Sequence, residues 1–351
     1  MHILCDLGTS NFRVATSGSD TIYAEPSVIA YDRNRGITIG NDAYEMIGRN
    51  PHVIEIATPI EGGVVQKVDA VAELIKYGVQ HLTTRWAAHR FSITLAISSQ
   101  LTQVEIRALE DAARLAGAKK VRFVNASVAG AIGAGLPVEG PNGCFVVNLG
   151  GGVTEVSLLS LKGVVSSDGF RRGGQAINDA IIDRVRRDYH FHIGMRSAEM
   201  LKRTWSLDSE TENFQVSGRD LQTGLPRTVS LPRSVVDDPV TAYCDSIVDL
   251  AGQVFAKCPP ELAGDIIESG IVLLGGGANV NGLVEKLQAR LDAPIIIAEG
   301  AETAIIRGLM ASEEVPSNRV GLDWIQKSPL SSLLGGKGLE TASPDNISKP
   351  S

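Results

Sequence analysis

The sequence predicts an α/β fold built twice, as two related lobes facing one another across a cleft. Three observations predict it. First, "HILCDLGTSNFRVATSG" (residues 2–18) and "CFVVNLGGGVTEVSLLS" (residues 144–160) share one design. Each is an apolar strand, then Asp or Asn, Leu-Gly, a small-residue turn and a returning alternating strand. Second, strand and helix patterns alternate after each of these hairpins, as in layered α/β proteins. Third, the glycine turns at Gly8-Thr9, Gly150-Gly151-Gly152 and Gly275-Gly276-Gly277 each follow directly on an apolar strand. Asp6 and Asn148 hold equivalent places in the two hairpins. Such turns can present backbone N–H groups to phosphate oxygens, so the pair implies a nucleotide held between the halves.

The elements follow in order. "SVIAYDRNRGITIG" reads as two short strands around a polar turn. From Gln66 to Leu82, Val68, Val71, Leu74, Ile75, Val79 and Leu82 recur at helical spacing. "FSITLAIS" is a buried strand, "LTQVEIRALEDAARLAG" a helix ending at Gly117, "VRFVNAS" a strand and "VAGAIGAG" a small-residue helix. After the second hairpin come the strand "GVVSSDGF" and a helix from Gly174 to Tyr189, with Ile177, Ile181 and Val185 on one face. The polar alternation from Ser206 to Arg233 predicts a small excursion subdomain. A long helix is expected from about Ser234 to Lys257, kinked by Pro239 or truly starting there. "GIVLLGGGANVNGLVEKLQARL" gives a strand, a glycine loop and a helix that the loop opens; the loop would lie under the adenosine portion or face the phosphates with the helix N-terminus. "PIIIAE" is a last strand, and Ala301 to Ala311 a last helix. The expected division is a first lobe over 1–144 with a small subdomain about 31–75, a second over 145–312 with a small subdomain about 180–240, and a partly disordered tail over 313–351.

Bulk composition narrows the function. The 351 residues carry 43% hydrophobic and 21% charged content, ordinary for a globular protein with ample core. A net charge of −7 and few aromatic residues argue against nucleic acid as a partner. Cys5, Cys144, Cys244 and Cys258 are too scattered for a metal cluster or disulfide framework, which fits a reducing cytoplasm. No signal peptide, membrane-spanning run or N-terminal amphipathic anchor is expected.

The phrases around the loops carry a resemblance. "DLGTSN", "AEPSVIAY", "IGNDAYEMIGRNP", "AIGAGLPVEGPNG", "RRGGQAINDAIIDRVRRDY", "SGRDLQTGLPR", "PPELAGDIIESGIVLLGGGANVNGL" and "RGLM" stand in one order. Together they resemble the actin-like ATPase superfamily and, within it, the MreB family of bacterial actins, over about residues 1 to 312. The resemblance implies the actin-like fold, a duplicated ribonuclease-H-like architecture, binding ATP (or GTP) with Mg²⁺. It implies nucleotide contacts from Asp6, Gly8, Thr9, Ser10, Asn11, Asn148, Gly150, Gly151, Gly152, Gly173, Gly174, Lys202, Gly275, Gly276, Gly277 and Ala278. Asp6 would reach Mg²⁺ through water.

The departures from the family pattern bear on chemistry. The second hairpin's metal-side Asp is here Asn148, which keeps the size and loses the anion that Mg²⁺ prefers. The Thr that helps place the attacking water is Val153, and the water-positioning Glu aligns with Ala126. A ribose-contacting Glu aligns with Thr204. Loss of one positioned polar group costs about 10²–10³-fold in rate. The resemblance therefore implies nucleotide binding with weak or lost hydrolysis and a weakened Mg²⁺ site.

Other polar residues take plainer readings. Thr102 and Glu105 stand at capping-box spacing. His190 and His192 read as a strand edge, and Arg184, Arg186 and Arg187 as a solvated helix face. Trp86 and Phe91, in "TTRWAAHRF", are candidates for membrane contact. The family implies self-assembly into filaments beneath the inner membrane, with inner-membrane cell-wall elongation proteins as partners, contributing to cell shape. Two further readings stay open: a non-polymerising adaptor or regulator of an intact MreB, and, weakest, a phosphotransferase or chaperone-type ATPase.

Overall fold

The computed structural model describes residues 1–34, 36–83, 90–208 and 210–312. The first hairpin is β1 (His2–Leu7) and β2 (Asn11–Thr16), followed by β3 (Ile22–Pro26). Next come β4 (Ile29–Asp32), β5 (Gly36–Ile39), α1 (Asn41–Met46), β6 (Ile54–Ala57), β7 (Ile60–Glu61) and β8 (Val64–Val65). The first half ends with α2 (Val68–Leu82), β9 (Phe91–Ile97), α3 (Gln103–Leu115), β10 (Ala118–Asn125) and α4 (Ala126–Gly133). The second half opens with β11 (Cys144–Leu149), β12 (Thr154–Ser160), β13 (Gly163–Phe170), α5 (Gly174–Tyr189), β14 (Phe191–His192) and α6 (Met195–Leu207). It continues through β15 (Asn213–Asp220), β16 (Pro226–Pro232), α7 (Ser234–Phe255) and α8 (Pro260–Ser269). It closes with β17 (Ile271–Leu274), α9 (Leu283–Leu291), β18 (Ile295–Ile297) and α10 (Ala304–Ser312).

Two five-stranded sheets carry the duplication. Their orders are β10-β9-β1-β2-β3 and β13-β12-β11-β17-β18. In each, an antiparallel hairpin is flanked by parallel strands on the side of its first strand, so the two sheets share one plan. The helical spacing of Val71, Leu74, Ile75 and Val79 buries one face of α2 against the first sheet, with Ile3, Cys5, Phe12 and Val14 beneath it. Residues Ile177, Ile181 and Val185 of α5 are buried in the core of the second sheet.

A pair of small-residue helices joins the lobes. Ala129 of α4 packs with Ile306 and Leu309 of α10 on Leu4 and Ala15 of the first sheet. Val128, Ala131 and Ala304 of the same two helices belong to the core of the second. The helices cross so closely that a Cβ added at Gly133 or Gly308 would overlap the backbone carbonyl oxygen of Ala304 or Ala129.

Several expectations need correction. The helix α7 runs unbroken from Ser234 and includes Pro239, so it does not start at the proline. Its first turn is anchored instead: Val235 and Val236 are fully buried, and Trp205 Nε1 donates to Asp237 at 2.5 Å. That burial outweighs the one backbone hydrogen bond a proline removes. The third glycine turn does not open a helix, because α9 starts at Leu283 after a run of turns closed by bonds such as Val280 N–H to Gly277 carbonyl at 3.2 Å. The helix α6 was not expected, and the strands β15 and β16 beyond it form a three-stranded sheet with β14, which precedes it. Phe91 is only 3% exposed, packed in the core under α2, so its side chain offers nothing to a membrane. Trp86 lies outside the described residues. Among those described, no helix is long and apolar enough to cross a membrane.

Candidate functional site

The two hairpin turns are closed alike. Gly8 N–H donates to the Asn11 carbonyl at 3.1 Å, and Gly150 N–H to the Val153 carbonyl at 2.9 Å. Ser27 fixes the first turn, its hydroxyl donating to the Gly8 carbonyl at 2.7 Å and its N–H to the Ser10 carbonyl at 2.9 Å. The turns then meet tip to tip across the lobes. A Cβ at Gly151 would overlap Ser10 Oγ, and one at Gly152 would overlap Thr9 Oγ1. Glycine is required at both positions by this close approach.

The other expected residues gather around the second turn. The start of α5 caps it: Gly174 N–H donates to the Gly150 carbonyl at 3.1 Å and Gln175 N–H to the Gly151 carbonyl at 2.9 Å. Lys202 Nζ donates to the Gly174 carbonyl at 2.8 Å and pairs with Glu199 at 2.6 Å. The third turn, closed by Ala278 N–H on the Gly275 carbonyl at 3.1 Å, docks on the second hairpin through Gly277 N–H on the Leu149 carbonyl at 3.0 Å. A Cβ on Gly275 would lie 3.1 Å from Asn148 Oδ1. Thus all three turns, Gly173-Gly174 and Lys202 lie together around the second hairpin.

The departed positions lie nearby but are not all in contact. Val153 packs toward Gly63, where an added Cβ would be 2.5 Å from Val153 Cγ2. Ala126 is the first residue of α4, whose cap is Asn125, its Oδ1 accepting from Val128 N–H at 3.0 Å. The next residue, Ser127, reaches a carboxylate that sequence reasoning missed.

That carboxylate is Glu155, which is 0% exposed. Its Oε1 accepts from the hydroxyls of Ser127 at 3.0 Å and Ser157 at 3.2 Å. Its Oε2 accepts from the Ser98 hydroxyl and from Ser99 N–H at 3.1 Å. Ser98 and Ser99 follow β9 of the first sheet, while Glu155 and Ser157 belong to β12 of the second. The group is therefore a polar hub between the lobes. With four donors on two oxygens and no exposed surface, it is poorly placed to activate water.

A second cross-link lies closer to solvent. Arg171 grips Glu105 in a fork, Nη1 to Oε1 at 2.6 Å and Nη2 to Oε2 at 2.8 Å, and Nη2 also donates to the Gln100 carbonyl at 3.1 Å. Glu105 still closes the capping box with Thr102, as expected. The Arg171 fork holds the Glu105 carboxyl down at about 2 against partial burial, with help from Thr102. Its folded value lies below the ordinary 4.5, so the stabilisation is complete above that pH and lost as pH falls toward 2. An acid titration of thermal stability should show this loss, and Arg171→Met should reduce its amplitude.

Arg13 was also missed. Register pairs it with Asp6, and places Glu155 opposite Asn148 in the second hairpin. Arg13 and Glu155 are separated by the same interval as Asp6 and Asn148, so the duplication relates them too. Counting outward from each turn centre finds both residues in the sequence. The contact across lobes made by Arg171 has no such signal.

A scan of family models matches residues 1–319 to the family described as MreB/Mbl protein. The chain belongs to the MreB/Mbl family. The cell shape-determining protein Mbl of Bacillus subtilis (strain 168) is 32% identical over 308 residues, covering 86% of this chain and 92% of that protein. The cell shape-determining protein MreB of Escherichia coli (strain K12) is 34% identical over 313 residues, covering 86% and 90%. Among solved structures, MreB 5 of Spiroplasma citri bound to AMPPNP superimposes with a TM-score of 0.82 at 29% identity, covering 89% of this chain and 96% of that one. The MamK double helical filament shares the fold, with a TM-score of 0.75 at 19% identity over 90% and 99% of the chains. This MreB/Mbl chain therefore has the actin-like fold, in two sheet-containing lobes, of a cytoskeletal, cell shape-determining family.

Proposed function

We propose that this chain is a cytoskeletal subunit that binds ATP or GTP between its lobes, assembles head to tail with its own copies and turns the nucleotide over slowly. The engagement of Glu155 carries the reading. The buried carboxylate beside the start of α4 is committed to serines and a backbone N–H, while Ala126 and Val153 bring no polar side chain. Binding does not need those side chains, because the turns act through backbone and glycine. The likeness to Spiroplasma citri MreB 5, solved with AMPPNP and with ADP, supports nucleotide binding. Heterologous contacts that do not close generate filaments, and the family's role in cell shape supports such assembly.

Sedimentation with ATP, with a non-hydrolysable analogue and without nucleotide tests the assembly. Equal pelleting with ATP and the analogue is expected, since assembly would not depend on cleavage. Pelleting only in the presence of an intact family member would favour the adaptor reading instead. Ala126→Glu, Asn148→Asp and Val153→Thr combined should raise phosphate release at least about tenfold. No rise with nucleotide still bound would place the lesion elsewhere.

A further inference from the structure

Asp6 and Arg13 face the same side of the β1–β2 hairpin, because directly paired antiparallel residues share a face. Arg13 Nη1 lies 3.6 Å from Asp6 Oδ2, and the two side chains are 16% and 12% exposed. At this distance the contact is ionic rather than a formed hydrogen bond, which leaves guanidinium N–H groups for a further acceptor. Both residues stand at the base of the turn whose tip meets Gly151 and Gly152.

This arrangement does not fit a divalent cation. Mg²⁺ favours charged oxygen ligands. In the first hairpin the carboxylate is already neutralised by a guanidinium, and in the second the equivalent place holds the amide of Asn148. A dication approaching Asp6 would meet the fixed positive charge of Arg13. A phosphate oxygen there would instead meet a planar donor suited to oxyanions.

We propose that Arg13 is the built-in counter-cation of the phosphate site, so that the polyphosphate of a nucleotide binds here without Mg²⁺. The inference rests on the nucleotide reading above. In the second hairpin the position equivalent to Arg13 is Glu155, so the duplicated hairpins carry opposite charges there: one answers an anion, the other ties the lobes together.

The test is titration of the full chain with a fluorescent ATP analogue, with Mg²⁺ and with excess EDTA. Affinity within about twofold in the two conditions is expected, and Arg13→Met should weaken binding in EDTA about ten- to a hundredfold. Arg13→Lys keeps the cation and should retain most of the binding in EDTA; thermal melting of each variant confirms folding. Wild-type binding that needs Mg²⁺ would overturn the inference and leave the nucleotide reading standing. An Arg13→Met protein that binds like wild type in EDTA would overturn the role of Arg13. Binding in neither condition would overturn the nucleotide reading, and this inference with it.

Discussion

Gly308→Ala is expected to destabilise the protein by about 3 kcal/mol, the upper end of what overpacking a close-packed interior costs. The added methyl would overlap the Ala129 carbonyl, a backbone atom that cannot swing aside. The helices α4 and α10 would have to part, and each packs on both lobes, so the strain would spread to the cleft. Gly264→Ala is the matched control. It lies inside α8, and a Cβ there has nothing within 4 Å. That variant should gain about 0.5–1 kcal/mol from helix propensity alone. Thermal denaturation of the two variants should therefore move in opposite directions. Equal and small shifts would mean the α4–α10 crossing is looser than the geometry shows.

Glu155→Ala is the second large effect, expected to cost about 3 kcal/mol or more. It would leave a cavity and strip the acceptor from Ser98, Ser127 and the Ser99 N–H at once, while the Ser157 hydroxyl keeps Ser127 Oγ at 2.9 Å. Glu155→Gln keeps the shape but swaps one acceptor oxygen for a donor, and should cost about 1–2 kcal/mol. The serine hydroxyls can rotate to suit the amide; the Ser99 N–H cannot. A structural hub predicts this order in stability with little change in turnover. A catalytic base predicts the reverse: Glu155→Gln would fold as well as the wild type and lose whatever phosphate release exists. Denaturant melts and phosphate release on the same samples decide between them.

The parts of this molecule that were legible in the sequence are those governed by local rules. The hairpin repeat, the glycine turns, the Thr102–Glu105 capping box and the apolar face of α2 follow from periodicity and turn chemistry, and the structure holds all of them. What escaped was long-range. Phe91 reads as a membrane-contact candidate beside Trp86 although it opens a strand expected to be buried, and as the first residue of β9 it is drawn into the first lobe's core. Pro239 reads as a kink or a helix start, and tertiary anchoring of Val235, Val236 and Asp237 sets the start at Ser234 instead. Counting along the second hairpin places Glu155 opposite Asn148, but nothing local reveals that Ser98 and Ser127 converge on it. Arg13 lies between these cases: the hairpin register that reveals it is local, but its meaning depends on the charge of Asp6 and the amide at Asn148.

The proposal that this chain holds a nucleotide between its lobes and cuts it only slowly is open to one direct measurement. The purified protein is loaded with ATP, freed of excess nucleotide, incubated, and its bound nucleotide identified by chromatography. Bound ATP recovered intact, over times in which a hydrolysing relative converts its own to ADP, is the expected result. Recovery as ADP at the relative's rate would contradict it.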